Sequence, residues 1–387
     1  MNRVGCDRCA PLLLVVLGVL VACSTSASET PPANSDPVSA VAQGRASGPL
    51  ARAEWQREIT HRTGSPFRPI AFRAGGGIAS LLQGPPLRHW MAFLADSGYI
   101  GAGGPAEPHV VRELFGLGTP TDIVAVAANG YSWYLDPARG RVVGENVGGE
   151  QITVASLGVR GTVRTACGLG ERAVAFLDTA RPGRVYVREL APPYETRDLP
   201  FPDGLLGHRV RWPDLRFGGS PEGPCVLFAP TMRGVVVVSD SSARAIAPFV
   251  EPLSRADALY ARGTWYAPLA GLIAWRERAV GALDATSVPA GVAVLFEGRT
   301  PAAGRLVDFY SDSGTYQESL RLPQRARRIA ATPHRLIVLS APYDRTYIAS
   351  YVLPARIRRR AAAAEPDVIA PPGPGPEVSP TVEGRGR

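Results

Sequence analysis

Lysine is absent from this chain: all 42 Lys+Arg positions are arginine. No Schiff-base lysine, phosphate-loop lysine or Ser-Lys dyad can therefore exist in it, whatever the fold. Histidine is nearly as scarce. The 5 histidines, His61, His89, His109, His208 and His334, are scattered without an H-x-H or H-E-x-x-H spacing, so no metal site is expected. A G-x-S-x-G nucleophile turn is also missing, because "GGSPEG" around Ser220 has its second glycine in the wrong place. No cofactor signature stands out, and no cofactor is expected.

Long hydrophobic runs are lacking too, with one exception at the N-terminus. There Arg3 and Arg8 precede an unbroken apolar run from Ala10 to Ala22. As a helix that run rises only about 20 Å, too short for a hydrocarbon core of about 30 Å, so it reads as a leader and not as an anchor helix. Its ending, Leu20-Val21-Ala22-Cys23, resembles a bacterial lipobox. The resemblance implies that Cys23 is acylated and becomes the mature N-terminus, with 1–22 as the signal peptide. Ser24 after the cysteine is similar to the pattern of outer-membrane lipoproteins. A lipid-anchored protein of the bacterial cell envelope, in the outer membrane and facing periplasm or surface, is the expected localisation.

Of the 5 cysteines, Cys6 and Cys9 leave with the leader, so their C-x-x-C spacing carries no metal or redox meaning. Cys167 and Cys225 remain in an oxidising compartment, either as a disulfide or as two buried thiols. Residues 23–50 are rich in Ser, Pro and Ala without apolar periodicity, and read as a disordered tether. Residues 355–387 are dense in Pro and Gly and read as a disordered tail. The formal net charge of +8 is mostly arginine interleaved with Asp and Glu. Its one dense cluster, "RIRRR" at Arg356 to Arg360, is read as an envelope-facing tail, and no nucleic-acid partner is expected.

Between tether and tail, over 51–354, the chain is a succession of short β-branched and aromatic runs separated by Gly, Pro, Asp and Asn. "DIVAVAANGYSWYLD" and "GVVVVSDSSARAIAPFV" are typical. The period is 2 and no stretch carries a long capped helical period, so the class is all-β. The runs begin about 41 residues apart on average, an interval that suits a four-stranded propeller blade. A β-propeller follows, six blades preferred and seven allowed. An early strand near "PFRPIAFR" is expected to complete the last blade and close the ring.

One unit carries a family resemblance. In "GTPTDIVAVAANGYSWYLDPARGRVVG", Pro120, the strand Ile123 to Val126, Asn129-Gly130, Trp133-Tyr134, Asp136 and Gly140 fall where the NHL repeat and related six-bladed propellers of the TolB-like group place a proline, an apolar strand, a glycine turn and an aromatic strand ending in Asp. Ala127 stands where that repeat has another Asp. Propeller enzymes similar in architecture include calcium-dependent lactonases, which use Glu, Asn and Asp near the channel, and quinone-dependent sugar dehydrogenases. The body offers only Asn129 and Asn146 for the first, and no motif for the second.

"LVDFYSDSGTYQESLRLP", Leu306 to Pro323, sets a polar knot between two apolar runs. In either register of a calcium-binding EF-hand the terminal Glu is missing. Asp312-Ser313-Gly314 resembles the core of a sialidase Asp box, but Tyr316 stands where Trp belongs. The echo "MAFLADSGYIGAG", Met91 to Gly103, identifies both as recurrent hairpin turns.

The longest interval, "APPYETRDLPFPDGLLGHRVRWPDLRFGGSPEG", reads as a loop excursion. Its His208, Arg209, Arg211, Trp212 and Arg216, with Phe217, are the candidate surface for an anionic, glycan or protein ligand. The functional expectation is a lipid-anchored binding or scaffold propeller. The alternative is a propeller hydrolase or dehydrogenase with its site at the central channel.

Overall fold

The computed structural model describes residues 37–59, 68–75, 78–84, 88–93, 109–113, 122–126, 132–145, 151–159, 163–170, 172–202, 212–220, 223–229, 232, 234–246, 282–296, 304–340 and 345–358. It opens with helix α1 (Pro37–Ser47) and strand β1 (Ala53–Ile59). A first sheet contains β2 (Arg68–Gly75), β3 (Ile78–Gly84), β4 (Arg88–Phe93) and β5 (His109–Glu113). The second contains β6 (Asp122–Val126), β7 (Ser132–Asp136), β8 (Arg141–Glu145) and β9 (Gln151–Ser156). In the third are β10 (Val163–Leu169), β11 (Ala173–Asp178), β12 (Arg184–Glu189) and β13 (Thr196–Pro200). The fourth follows a 3-10 turn at Trp212–Asp214 with β14 (Arg216–Gly219), β15 (Cys225–Phe228), β16 (Val235–Val238) and β17 (Ala243–Ile246). The fifth has β18 (Ala282–Val288), β19 (Gly291–Phe296), β20 (Leu306–Ser311) and β21 (Tyr316–Arg321). The sixth has β22 (Ala326–Ala331), β23 (Arg335–Ser340) and β24 (Thr346–Val352), with β1 added antiparallel to β24 as its outermost strand.

Each sheet is a four-stranded antiparallel meander. Its first strand packs against the first strands of the sheets before and after it, and β22 meets β2. That arrangement is a β-propeller, with first strands around the axis.

Alternation along the strands explains the stacking. In β15, Cys225 and Leu227 join an apolar cluster with the third sheet, while Val226 and Phe228 join one with the fifth. β16 divides its valines likewise, Val236 and Val238 one way, Val235 and Val237 the other. Because both faces are covered, inner strands read as continuous apolar runs, whereas the outermost β13 and β17 are largely exposed. The same device joins the last sheet to the first, where Ile337, Leu339 and Ile348 pack on Phe72, Ala74 and Leu81.

Several expectations change. Closure comes from β1, while the stretch near "PFRPIAFR" supplies β2, the innermost strand of the first sheet. The expected loop excursion after Glu189 contains β13 and β14. The outermost strand is polar because it faces solvent, and β14 is short and glycine-ended, so neither showed an apolar run.

Residues 37–50, expected within the tether, hold α1 and an extended strap. α1 has no apolar stripe; it docks through the buried side chain of Val41 and through charge. Arg45 lies 3.6 Å over the Phe296 ring and donates Nη2–H to Asp308 Oδ2 at 2.5 Å. Asp308 also accepts Ser319 Oγ–H at 2.6 Å, so this buried carboxylate is fully engaged. Beyond the helix, Ala51 N–H donates to Arg321 O and Arg321 N–H to Pro49 O, lengthening the fifth sheet at its edge. At the other end a helical turn at 355–358 buries Ile357 beside Leu353, inside the expected tail. Residues 23–36 and 359–387 lie outside the described residues.

The polar knot at Ser311 to Thr315 is a hairpin turn joining β20 to β21. Gly314 adopts φ +87°, its N–H donates to Ser311 O at 2.8 Å, and Ser311 Oγ accepts Thr315 N–H at 3.1 Å. Its echo falls between β4 and β5, the same position in the first sheet, and its turn lies outside the described residues.

Candidate functional site

Five of the six first strands carry a register shift against their second strand: β2, β6, β10, β18 and β22. An extra residue there bends the strand and re-aims the side chains that follow it. Thr165 sits within its bulge, and Asp284 and Arg328 directly follow theirs. Each sheet contributes one polar side chain near the axis, Arg73, Asp122, Thr165, Arg216, Asp284 and Arg328, although β14 has no such shift and Asp122 precedes the one in β6.

Three of these side chains and the main chain of Phe217 form a closed circuit. Arg73 donates Nη2–H to Asp122 Oδ1 at 3.3 Å and to the carbonyl of Phe217. Asp122 Oδ2 accepts Thr165 Oγ1–H at 2.6 Å, and Thr165 Oγ1 accepts the Phe217 N–H at 3.0 Å. The circuit links sheets one to four. Between the fifth and sixth, Asp284 Oδ2 accepts Ile329 N–H at 2.7 Å; between the fourth and fifth, Ser287 Oγ accepts Ser220 N–H at 2.9 Å.

Burial dominates the electrostatics. It pushes the Asp122 carboxyl above the ordinary carboxylate range, against the pull of Arg73, Thr165 and the amides of Ala166 and Ile123. Burial likewise raises Asp284, against Arg328 and the amides of Ile329 and Ala285. For Arg328 burial lowers the guanidinium, Asp284 opposes this, and the like charges of Arg216 and Arg73 reinforce it. Arg73, Asp122, Thr165 and Asp284 are buried, whereas Arg328 is half-buried and Arg216 exposed. The cluster thus has a sealed base, a more open side and one arginine in excess over its two carboxylates.

The sequence candidates divide. Arg216 begins β14 and takes part in this cluster. Trp212 is 8% exposed, donates its indole N–H to Asp178 O at 3.0 Å and stands edge-on to Phe201 at 5.3 Å, packed in the apolar cluster between the third and fourth sheets. His208, Arg209 and Arg211 lie outside the described residues, as does Cys23. Cys167 in β10 and Cys225 in β15 are joined by a disulfide, Cα to Cα 6.0 Å, tying the third sheet to the fourth. Among the described residues no group of three His, Cys, Asp or Glu side chains is placed to hold a metal ion. No helix among them is long and apolar enough to cross a membrane.

Arg73, Asp122, Thr165, Asp284 and Arg328 were not singled out by sequence reasoning. Their signal is polar residues interrupting the first strand of each unit, as in "RTACG", "ALDATSV" and "ARRIAA", visible only once the units are aligned by that strand.

No family model matches the chain, and no curated protein does. Among solved structures it is similar to virginiamycin B lyase from Staphylococcus aureus, at 10% identity and a TM-score of 0.40, covering 77% of this chain and 88% of that one. It is also similar to a calcium-binding protein, regucalcin, from Agrobacterium tumefaciens, at 11% identity and a TM-score of 0.44, covering 78% and 95%. A chain of a nidogen/laminin complex matches at 8% identity and a TM-score of 0.38, covering 65% and 80%. Likenesses this distant carry no functional argument. The chain is a β-propeller protein on the strength of its own sheet order.

Proposed function

We propose that this chain is a six-bladed, lipid-anchored propeller of the bacterial cell envelope that binds an anion-bearing ligand at the open side of the axial cluster. The reading of six rests on two adjacencies. β14 packs on β18 and β22 packs on β2, the adjacencies expected of a ring of six.

The observation that carries the binding reading is the excess of arginine at the axis. Asp122 and Asp284 are each engaged by amides of the next sheet, while Arg216 and Arg328 stand at the accessible side under mutual repulsion. An anion placed there would relieve that repulsion, and guanidinium forks match carboxylate and phosphate. The segment bearing His208, Arg209 and Arg211 leads directly into Arg216, with Trp212 as its buried foot, and is proposed as part of the same surface. The enzyme alternative would draw on the same two carboxyls, but their hydrogen bonds already join neighbouring sheets.

Calorimetric titration of the purified chain with inorganic phosphate and citrate tests this. Binding weakened at least tenfold in Arg328→Gln and Arg216→Gln supports it; no binding, or equal binding in both variants, overturns it. Mass spectrometry of the mature N-terminus tests the anchor: a diacylated or triacylated Cys23 is expected, and an unmodified residue before Cys23 rules it out.

A further inference from the structure

The two ends of the described chain meet on one edge of the propeller. The strap at 49–51 runs along β21, and the turn at 355–358 is placed so that Arg356 acts on Glu318 of the same strand. Ala51, Leu353 and Ile357 share one buried cluster with Leu320 and Leu322. Around the strap and the end of β24 the exposed side chains are basic and partly apolar. Leu50 is 58% exposed and bridges to Arg321, whose own side chain is exposed. Ala53 pairs with Tyr351, which sets exposed Arg52 beside Val352, itself 39% exposed. Arg356, exposed on the turn, completes the set. Of the nearby acids, Glu54 is taken up by Arg335 at 2.8 Å, and Glu318 is half-buried.

We infer that this edge, made of Leu50, Arg52, Arg321, Val352 and Arg356, is a docking surface for anionic lipid headgroups. Exposed aliphatic side chains among guanidinium groups suit the interfacial layer of a bilayer, where apolar atoms enter the acyl boundary and cations meet phosphate. The choice of a membrane over other polyanions rests on the anchor reading above. Only 13 residues separate Cys23 from Pro37 in the sequence, so acylation at Cys23 would hold this edge at high effective concentration near a bilayer. The sequence then continues from Arg358 into Arg359 and Arg360, adding charge of the same sign.

The test uses the chain from Ser24 onward, which lacks leader and acylation site but keeps the compact unit Pro37–Arg387. It is sedimented with vesicles of phosphatidylcholine alone and of phosphatidylcholine with phosphatidylglycerol. Binding to the anionic vesicles only is expected, lost at high salt and weakened about fivefold for each arginine replaced in Arg52→Gln, Arg356→Gln and Arg321→Gln. Arg321 also donates to Gly48 O at 3.1 Å, so the Arg52→Gln, Arg356→Gln pair decides the matter if the triple variant is unstable. Equal binding to both vesicles, no binding, an unaltered pair variant, or equally tight binding of single-stranded DNA overturns the inference. If Cys23 proves acylated while this chain ignores anionic vesicles, the anchor stands and the docking surface falls; the reverse result separates them the other way.

Discussion

The Arg73 guanidinium, carried by the first sheet, donates to the main-chain carbonyl of Phe217 in the fourth, so one side chain joins sheets that are not neighbours in sequence. The same nitrogen holds Asp122, whose second oxygen is joined through Thr165 to the Phe217 amide. A charge so enclosed cannot be removed from one partner alone without leaving the other stranded.

Arg73→Met is therefore expected to cost about 3–5 kcal/mol, because Asp122 stays buried without its cation. Adding Asp122→Asn should restore part of that loss. Urea unfolding of the two single variants and the double variant checks it, and strictly additive losses would contradict the circuit.

Two buried aspartates should respond to pH with opposite sign. Burial works against ionised Asp136, but hydrogen bonds from Arg141 and Arg139, both at 3.0 Å, prevail and hold it below the ordinary range. Its contribution is present above the ordinary carboxylate pKa and lost as pH falls through the lowered one. For Asp284, raised by burial, the native state keeps a proton that the unfolded state has released, so stability falls as pH rises through that window. As pH rises above about 4, Asp284→Asn should gain on the native chain, whereas the deficit of Asp136→Asn should stay constant there and shrink only as pH falls below about 4. A pH series of denaturant melts reads both slopes.

The bond between Cys167 and Cys225 closes a separation of 58 residues. Chain-entropy reasoning gives about 4 kcal/mol of stabilisation for a loop of that length. Comparing denaturation midpoints with and without reductant, and for Cys167→Ser with Cys225→Ser, measures it. Loss confined to the third and fourth sheets by hydrogen exchange would show that the staple is local.

Gly218 lies where the fourth sheet closely approaches the fifth. A Cβ built there would stand 1.7 Å from the Ala285 carbonyl oxygen of the fifth sheet. That is backbone, which cannot swing aside, so Gly218→Ala should destabilise by about 3 kcal/mol. Thermal unfolding followed by circular dichroism is the check, and a change within 1 °C would sink the packing claim.

Arg45→Met should leave Asp308 buried with Ser319 as its one remaining side-chain partner among the described residues, a loss of about 3 kcal/mol. Amide exchange should accelerate across 37–51 while the sheets far from β21 keep their protection.

The all-β class and the repeat were legible because β-branched runs with period 2, punctuated by glycine and proline, need no partner to be recognised. The docked helix was not. "PVSAVAQGRAS" presents no apolar face; it is held by the buried side chain of Val41 and by an arginine whose carboxylate lies far along the chain. β13 was hidden for a related reason: an outermost strand is polar, so "TRDLP" reads as loop. The axial cluster was illegible because its members are single residues from separate units, each unremarkable alone. Arg216 was noticed, but as part of a loop, since the first strand it begins is only 4 residues long.

The strand that completes the last sheet comes from the beginning of the chain, and this sets an order of assembly. β1 has no partner until Thr346–Val352 is available. A chain delivered amino end first can stack its sheets one on another as they emerge, each burying a face of the one before. The ring cannot lock until the carboxyl end of the body arrives, and the last sheet keeps an open edge until then. Any truncation short of β24 should therefore behave as an unfinished ring, prone to finding its missing strand in another copy.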